Sequence, residues 1–251
     1  MDPVTISLIV FAFVFGGSLF GIHLRAILPE TQLTLESKDL LKLGMGLMAT
    51  MTALVLGLQL GSAQSAFEAQ ERNLIEISAK LILLDRALAH YGPETKAVRD
   101  LLRKSVIEKL ELIWPQHYTQ HSQWQPTSLE TDQIYYRIEE LSPGNDSQRE
   151  SKSQALSVLF DIGQTRWLTF EQESNSASMP VLSVVTTWLT ITFISFGLFA
   201  PRNAVAIFTL FVCATAVSGA IFLTLELYSP LNGLIRISSE PLRNAILRLG
   251  Q

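Results

Sequence analysis

Four stretches of this chain contain no acidic or basic side chain and are long enough to cross a membrane: residues 4–22, 43–60, 181–199 and 204–225. A helix needs roughly 20 apolar residues to span a hydrocarbon core about 30 Å thick. Lipid offers the backbone no hydrogen-bond partner, so each stretch must fold as a helix, and four short apolar segments cannot close a barrel. The sequence therefore predicts an all-α protein with four transmembrane helices.

Composition agrees with this prediction and excludes some classes of function. Of the 251 residues, 48% are hydrophobic and 17% are charged, which is apolar for a soluble domain. The net charge of -4 lacks the basic excess that binds nucleic-acid phosphates. Cys213 is the one cysteine, so the chain cannot form an internal disulfide. We expect the lipid bilayer as a partner, and no nucleic acid.

The order of the apolar stretches divides the chain into four segments. Residues 1–62 hold the first two transmembrane helices, and 63–179 form an extramembrane helical domain inserted between spans 2 and 3. Residues 180–226 form a transmembrane hairpin that turns at Pro201, and 227–251 form an amphipathic tail that can lie along the membrane surface. Both ends of the helical domain leave the membrane on the side of the two termini. The numbers of Lys and Arg near the ends of the spans are similar on the two sides of the membrane, so they favour neither orientation of the chain.

Apolar residues repeat every seven positions at the start of the extramembrane segment, which predicts a coiled-coil-like helix continuing directly from the second span. The repeat consists of Phe67, Leu74, Leu81 and Leu88, with Ile77 and Leu84 between them. Gly92 and Pro93 should end this helix. Further helices are predicted over about 94–114, 127–142 and 146–173, so the domain is a small helical bundle.

The second span carries small and polar residues on one helix face, with two leucines beside them. The face comprises Gly46, Thr50, Ala53, Gly57, Gly61 and Gln64, and the leucines are Leu54 and Leu58. Such a face can let another helix approach closely, as in the GxxxG pairs Gly17/Gly21 and Gly57/Gly61. Alternatively, in an oligomer, it can line an aqueous pathway with the leucines as hydrophobic constrictions. The residues alone leave both alternatives open.

No catalytic triad order, phosphate-binding loop or redox cysteine pair occurs in the chain, so we expect neither an enzyme nor a cofactor. His117 and His121 have the spacing of metal ligands on a helix, but the prolines around them favour a surface loop without metal. Glu226, at the exit of the fourth span, is either a functional carboxylate or one hydrated at the interface.

Several short motifs are spread over nearly the whole chain. They are Gly17-Ser18-Leu19-Phe20-Gly21 with Leu28-Pro29, Phe67-Glu68-Ala69, Arg99-Asp100-Leu101-Leu102 before Trp114, Arg166-Trp167-Leu168 before Met179-Pro180, and residues 226–238 followed by Glu240-Pro241-Leu242. This set resembles the bestrophin-like membrane proteins, a family of unknown function. In the most specific motif, residues 226–238, Tyr228 and Leu231 replace the aspartate and phenylalanine that are usual in the family.

The resemblance implies remote kinship with bestrophins, which are pentameric chloride channels whose second membrane helix lines a hydrophobic neck. It also implies a homo-oligomer with both termini and the helical domain in the cytosol. The leading hypothesis is an oligomeric, anion-conducting, channel-like protein whose second span lines an axial pathway. The alternative is a non-conducting scaffold or signalling protein whose helical domain binds a soluble partner.

Overall fold

In the computed structural model, the described residues are 2–27, 35–114, 128–174, 179–231 and 233–251. These residues form eight α-helices and no strand, which confirms the all-α prediction. The helices are α1 (Pro3–Ile27), α2 (Leu35–Tyr91), α3 (Lys96–Ile113), α4 (Ser128–Glu139), α5 (Asp146–Ser174), α6 (Met179–Phe199), α7 (Ala204–Leu227) and α8 (Glu240–Arg248).

Among the described residues, four helices are long and apolar enough to cross a membrane, namely α1, α2, α6 and α7. This confirms the four predicted spans. Helix α2 is 57 residues long because the second span and the heptad helix after it form one uninterrupted helix. Its end at Tyr91, just before Gly92 and Pro93, is also as predicted. The predicted helices of the extramembrane segment correspond to α3, α4 and α5.

The chain divides into two compact units. The first consists of Met1–Ala66 and Ser176–Ser229, and the second of Phe67–Asn175 and Pro230–Gln251. Both units are therefore built from two separate segments of sequence. Helix α2 contributes residues to each unit, since the division falls between Ala66 and Phe67.

In the first unit, α1 and α6 approach so closely that only glycine fits at two of their contact positions. A Cβ atom on Gly21 would meet the carbonyl oxygen of Ile194, and one on Gly197 would meet the carbonyl oxygen of Ser18. Small residues allow the two helix backbones to come this close. In lipid, the hydrophobic effect does not drive helices together, so their association depends on the dispersion energy of this close packing. The packing role predicted for the pair Gly17/Gly21 is thus confirmed.

Helix α7 completes the core of the first unit. Rings of Phe11, Phe15 and Phe211 cluster with centroids 5.5–5.6 Å apart, and two of the three ring pairs meet edge to face. The buried apolar side chains of this core are Val10, Val14, Val185, Leu189, Phe193, Leu210, Ala214, Ile221 and Leu225. All of them come from α1, α6 and α7, so α2 stands outside the most buried part of the unit.

Two arginines join α1 to the C-terminal end of α6 and the turn that follows it. Arg25 donates from Nη1 to the carbonyl oxygens of Ala200 at 2.7 Å and Phe199 at 3.4 Å. Arg202 donates from Nη2 to the carbonyl oxygen of Ile22 at 3.4 Å. The last carbonyls of a helix lack intrahelical donors and carry the negative end of its dipole, so the cation of Arg25 stabilises the end of α6. Ile22 lies inside α1, so Arg202 adds a second donor to its carbonyl and ties the turn after α6 to α1.

In the second unit, the heptad seam of α2 supplies part of one apolar core. Leu81, Leu84 and Leu88 are buried there together with side chains from α3, α4, α5 and α8. The seam is therefore covered by helices of the same chain. The turn from α2 into α3 depends on Gly92, whose φ of 138° is a conformation that other residues rarely adopt.

The hairpin of α2 and α3 is locked by a buried ion pair. Arg99 donates from Nε and Nη2 to the two carboxylate oxygens of Asp85, both at 2.8 Å, and Asp85 is 2% exposed. The backbone N–H of Gly250 donates to the same carboxylate at 3.1 Å, and Arg99 also donates to the carbonyl oxygen of Gln251. The hydrogen bonds that Arg99 donates to Asp85 raise the pKa of Arg99, and burial of the guanidinium opposes this shift.

The C-terminal tail differs from the expectation of a helix lying along the membrane surface. Helix α8 is amphipathic as predicted, but its apolar residues Leu242 and Ala245 are 6% and 0% exposed within the second unit, and Leu249, directly after the helix, is 2% exposed. Leu242 and Leu249 belong to the same core as α2 and α3. The apolar face is already covered by protein, so it is not available to lipid.

Substituting Gly21 by Ala should destabilise the first unit by about 1–3 kcal/mol, because the added methyl group collides with the backbone of α6. Thermal unfolding of the detergent-solubilised protein measures the effect. The matched control is Gly57→Ala on α2, where no heavy atom lies within 4 Å of the added Cβ position. An equal loss of stability in both variants would contradict the close approach described for α1 and α6.

Substituting Asp85 by Asn should destabilise the second unit by about 3–5 kcal/mol, because it leaves the largely buried guanidinium of Arg99 without its counter-charge. Chemical unfolding followed by circular dichroism measures the change. The control is Asp146→Asn, which removes the carboxylate of an exposed pair with Arg149 and should have little effect. Similar unfolding curves for the two variants would show that the Asp85 pair is dispensable.

Candidate functional site

The predicted face of the second span, which we call the α2 stripe, is not covered by the other described helices of the first unit. All of its residues are exposed: Gly46, Thr50, Ala53, Leu54, Gly57, Leu58, Gly61 and Gln64. The two leucines are 66% and 67% exposed. The stripe lies on a single helix face, as the spacing predicted, and the first unit leaves that face uncovered.

The opposite face of α2 is the one that contacts the first unit. Thr52 and Ala63 are 3% and 0% exposed, and Val55 and Leu56 lie against the core of α1, α6 and α7. At 100° per residue, these positions fall on the other side of the helix from Gly57 and Gly61. Only one side of the second span therefore packs against the other described helices of the first unit.

The two GxxxG pairs of the sequence differ in what surrounds them. Gly17 and Gly21 lie against α6, whereas no atom of the described residues lies within 4 Å of a Cβ position on Gly57 or Gly61. Packing among the described helices therefore accounts for the first pair and not for the second.

The α2 stripe is polar but uncharged around Thr50 and more apolar farther along the helix. The hydroxyl of Thr50 donates to the carbonyl oxygen of Gly46 at 2.8 Å, so this oxygen keeps two lone pairs that can accept hydrogen bonds. Farther along the helix, a shallow groove is lined by Ala53, Leu54, Gly57, Leu58, Gly61, Ser62 and Ser65. From Leu43 to Phe67 no side chain of α2 carries a charge. This face can tolerate contact with either water or a close neighbouring helix.

Glu226, the other predicted functional residue, is buried rather than hydrated. It is 2% exposed near the end of α7, between the buried Leu225 and the half-buried Leu227. Its backbone carbonyl accepts the N–H of Ser229 at 3.0 Å, which helps to end the helix. Burying a carboxylate at the end of a span is costly unless the carboxylate has hydrogen-bond or ion-pair partners. The burial of Glu226 differs from the predicted alternative of a carboxylate hydrated at the membrane interface.

Within the described ranges, no group of three or more His, Cys, Asp or Glu side chains could hold a metal ion. His117 and His121, which have metal-ligand spacing in the sequence, lie outside the described residues. Cys213 is exposed on α7.

Comparison with known proteins gives one match. The family described as Bestrophin-like domain matches residues 9–242, which is most of the chain. No curated protein matches the chain. No solved structure matches it either.

Proposed function

The chain belongs to the bestrophin-like family, and from this premise we propose that it forms a homo-oligomeric channel that conducts anions. The kinship with bestrophins, which are channels, favours a channel-like membrane protein over an enzyme. In the proposed assembly, the α2 stripe of each copy faces a shared axial pathway. The observation that carries the proposal is that all eight stripe residues are exposed on the side of α2 opposite its contacts within the chain.

The exposure of the stripe supports an oligomer because one copy cannot enclose a pathway with it. A face that points outward from a single chain encloses a space only when copies are arranged around a closed symmetry axis. The span of α2 is also the least covered, with 6% of its apolar window buried compared with 22–28% for the other three. By analogy with bestrophins, we propose five copies around the axis.

Leu54 and Leu58 are the proposed constriction. They lie one helical turn apart, so in a symmetric assembly they form two apolar rings separated by about 6 Å along the pathway. Such rings gate by excluding water from a narrow passage. The absence of acidic side chains between Leu43 and Phe67 is compatible with anions, which a ring of carboxylates would repel.

Orientation and partners belong to the same proposal. We place both termini and the second unit in the cytoplasm, as in bestrophins. The competing function is a non-conducting scaffold whose second unit binds a soluble protein. A stable complex with a different protein, together with a monomeric state in crosslinked membranes, would favour that scaffold over the channel.

Replacing Leu54 and Leu58 together by Ser should raise single-channel conductance several-fold, because a polar ring holds water in the narrow passage. Planar-bilayer recording of the purified protein measures the change. The matched control is Leu8→Ser on α1, a leucine that is also 66% exposed but lies on a different span. Its conductance should equal that of the unchanged protein.

Two recordings would count against the channel. One is the absence of any conductance in the unchanged protein and in the double variant. The other is a change of equal size in the Leu8→Ser control, which would trace the effect to general disturbance of the membrane helices.

Water-soluble thiol reagents can test whether the stripe is wet. In a Cys213→Ser background, a cysteine introduced by Gly57→Cys or Thr50→Cys should react with a charged methanethiosulfonate, because an aqueous pathway admits the reagent. The control Leu8→Cys should remain unlabelled in lipid vesicles. Mass spectrometry measures the labelled fraction. Protection of the stripe cysteines in membranes, with labelling only after denaturation, would show a dry helix contact or lipid instead.

A further inference from the structure

Two arginines from different helices lie together at one end of the first unit. The guanidinium of Arg25, in the last turn of α1, donates to the carbonyl oxygen of Ala200, two residues before Arg202. The guanidinium of Arg202 donates in return to the carbonyl oxygen of Ile22, three residues before Arg25. Each guanidinium therefore lies beside the segment that carries the other, so two positive charges share a small area.

The bonds to backbone carbonyls occupy only part of each guanidinium. A guanidinium carries five N–H donors, on Nε, Nη1 and Nη2. Both bonds of Arg25 come from Nη1, to Ala200 at 2.7 Å and to Phe199 at 3.4 Å. The bond of Arg202 comes from Nη2. Among the described residues, the other two nitrogens of each guanidinium have no acceptor, and both side chains are exposed.

The positive charge of this pair is not neutralised by the described part of the chain. No Asp or Glu side chain there forms an ion pair with Arg25 or Arg202. The carbonyl groups that they contact carry no net charge. Asn203, the next residue, caps the N-terminus of α7, and the positive end of the α7 dipole adds to the same field. This end of the unit therefore favours an anionic ligand.

The position of the pair along the spans indicates where the anion comes from. Helix α6 ends at Phe199 and α7 begins at Ala204, and these apolar helices have 21 and 24 residues. At 1.5 Å per residue, each is about as long as the hydrocarbon core of a bilayer is thick, roughly 30 Å. The turn at residues 200–203 therefore lies where the hydrocarbon core meets the lipid headgroups, which places Arg202 at the level of their phosphates.

Guanidinium groups at this level suit a phosphate. Their planar fork donates parallel N–H bonds to phosphate oxygens, and basic pockets between transmembrane helices bind the headgroups of anionic lipids. A phosphodiester has two unesterified oxygens, so two arginines can each bind one of them. A headgroup that also carries a cation, such as choline, is repelled by the same pair. The pair therefore favours an anionic phospholipid over a zwitterionic one.

We infer that Arg25 and Arg202 together bind the phosphate of an anionic phospholipid. The acyl chains of this lipid lie along the apolar surface of the spans, which is open to lipid next to the pair. Val205 and Phe208, in the first turns of α7, are 72% and 67% exposed. The inference rests on the first unit alone and does not depend on conduction.

The test measures which lipid stays with the full-length protein. Vesicles containing the protein are made from equal amounts of phosphatidylglycerol and phosphatidylcholine with the same acyl chains. The protein is then solubilised in a mild detergent, immobilised and washed, and mass spectrometry measures the retained lipids. Phosphatidylglycerol should be enriched about tenfold over phosphatidylcholine, because two arginines attract its charge. Equal retention of the two lipids would overturn the inference.

Arg202→Glu separates lipid binding from stability. It places a carboxylate beside Arg25, so the pair loses its net positive charge while Arg25 still caps α6. The enrichment should fall about tenfold, to none, whereas the temperature of thermal unfolding should stay the same or rise, because two like charges no longer repel. Arg202→Gln, a milder change at the same exposed position, should also lower the enrichment.

The matched control is Arg86→Glu, at an exposed arginine of the second unit, and it should keep the full enrichment. Full enrichment in folded Arg202→Glu and Arg202→Gln would refute the site. An equal loss in Arg86→Glu would refute it as well, since the enrichment would then follow the net charge of the whole protein.

Inorganic phosphate distinguishes a lipid site from a site for a free anion. A wash with excess sodium phosphate should leave phosphatidylglycerol enriched, because its acyl chains help to hold it against a soluble competitor. Complete loss in this wash, without loss in sodium chloride of equal ionic strength, would assign the pair to free phosphate. Complete loss in both washes would show an unspecific attraction that salt screens. Either result would overturn the lipid site.

Discussion

The fold depends first on one constraint: in the lipid bilayer, which supplies no hydrogen-bond partners, every backbone N–H and C=O group must be paired within the protein. Each span is therefore a helix, and contacts between spans must arise from shape rather than from hydrophobic drive. Gly21 and Gly197 meet this condition by bringing α1 and α6 into backbone contact. Arg25 donates to the carbonyls that the helical pattern leaves free at the end of α6, and Arg202 donates to a carbonyl of α1. The result is a tight group of α1, α6 and α7, with α2 held by one side only.

Outside the spans, water is available and the same chain uses a different set of interactions. The second unit has an ordinary apolar core, and one buried ion pair fixes the register of its central hairpin. A charged pair in such a place contributes more to defining one arrangement than to stability, because desolvation offsets much of its attraction. Here the carboxylate of Asp85 also accepts the backbone N–H of Gly250, so one side chain joins three parts of the sequence.

Sequence patterns predicted the helices well because each depends on local composition. The end of α2 followed from Gly92 and Pro93, and the spans followed from their missing charges. The direction of the α2 stripe could not be predicted, since it depends on which face the other helices cover. The burial of α8 was missed because an amphipathic helix suits a membrane surface and a protein core equally well. Asp85 is a polar residue next to the apolar seam in the sequence, but its pairing with Arg99 could not be predicted from the spacing of the two residues.

The second unit is discontinuous in sequence, which bears on the order of events during synthesis. Ribosomes release the chain from its N-terminus, and domains generally fold as units once all their parts have emerged. The core that begins with α2 also needs Leu242 and Leu249, which follow the hairpin of α6 and α7. The core of the second unit therefore cannot be completed until the third and fourth spans have been synthesised. Until then, the apolar residues of α2 and α3 that belong to this core lack the cover of Leu242 and Leu249.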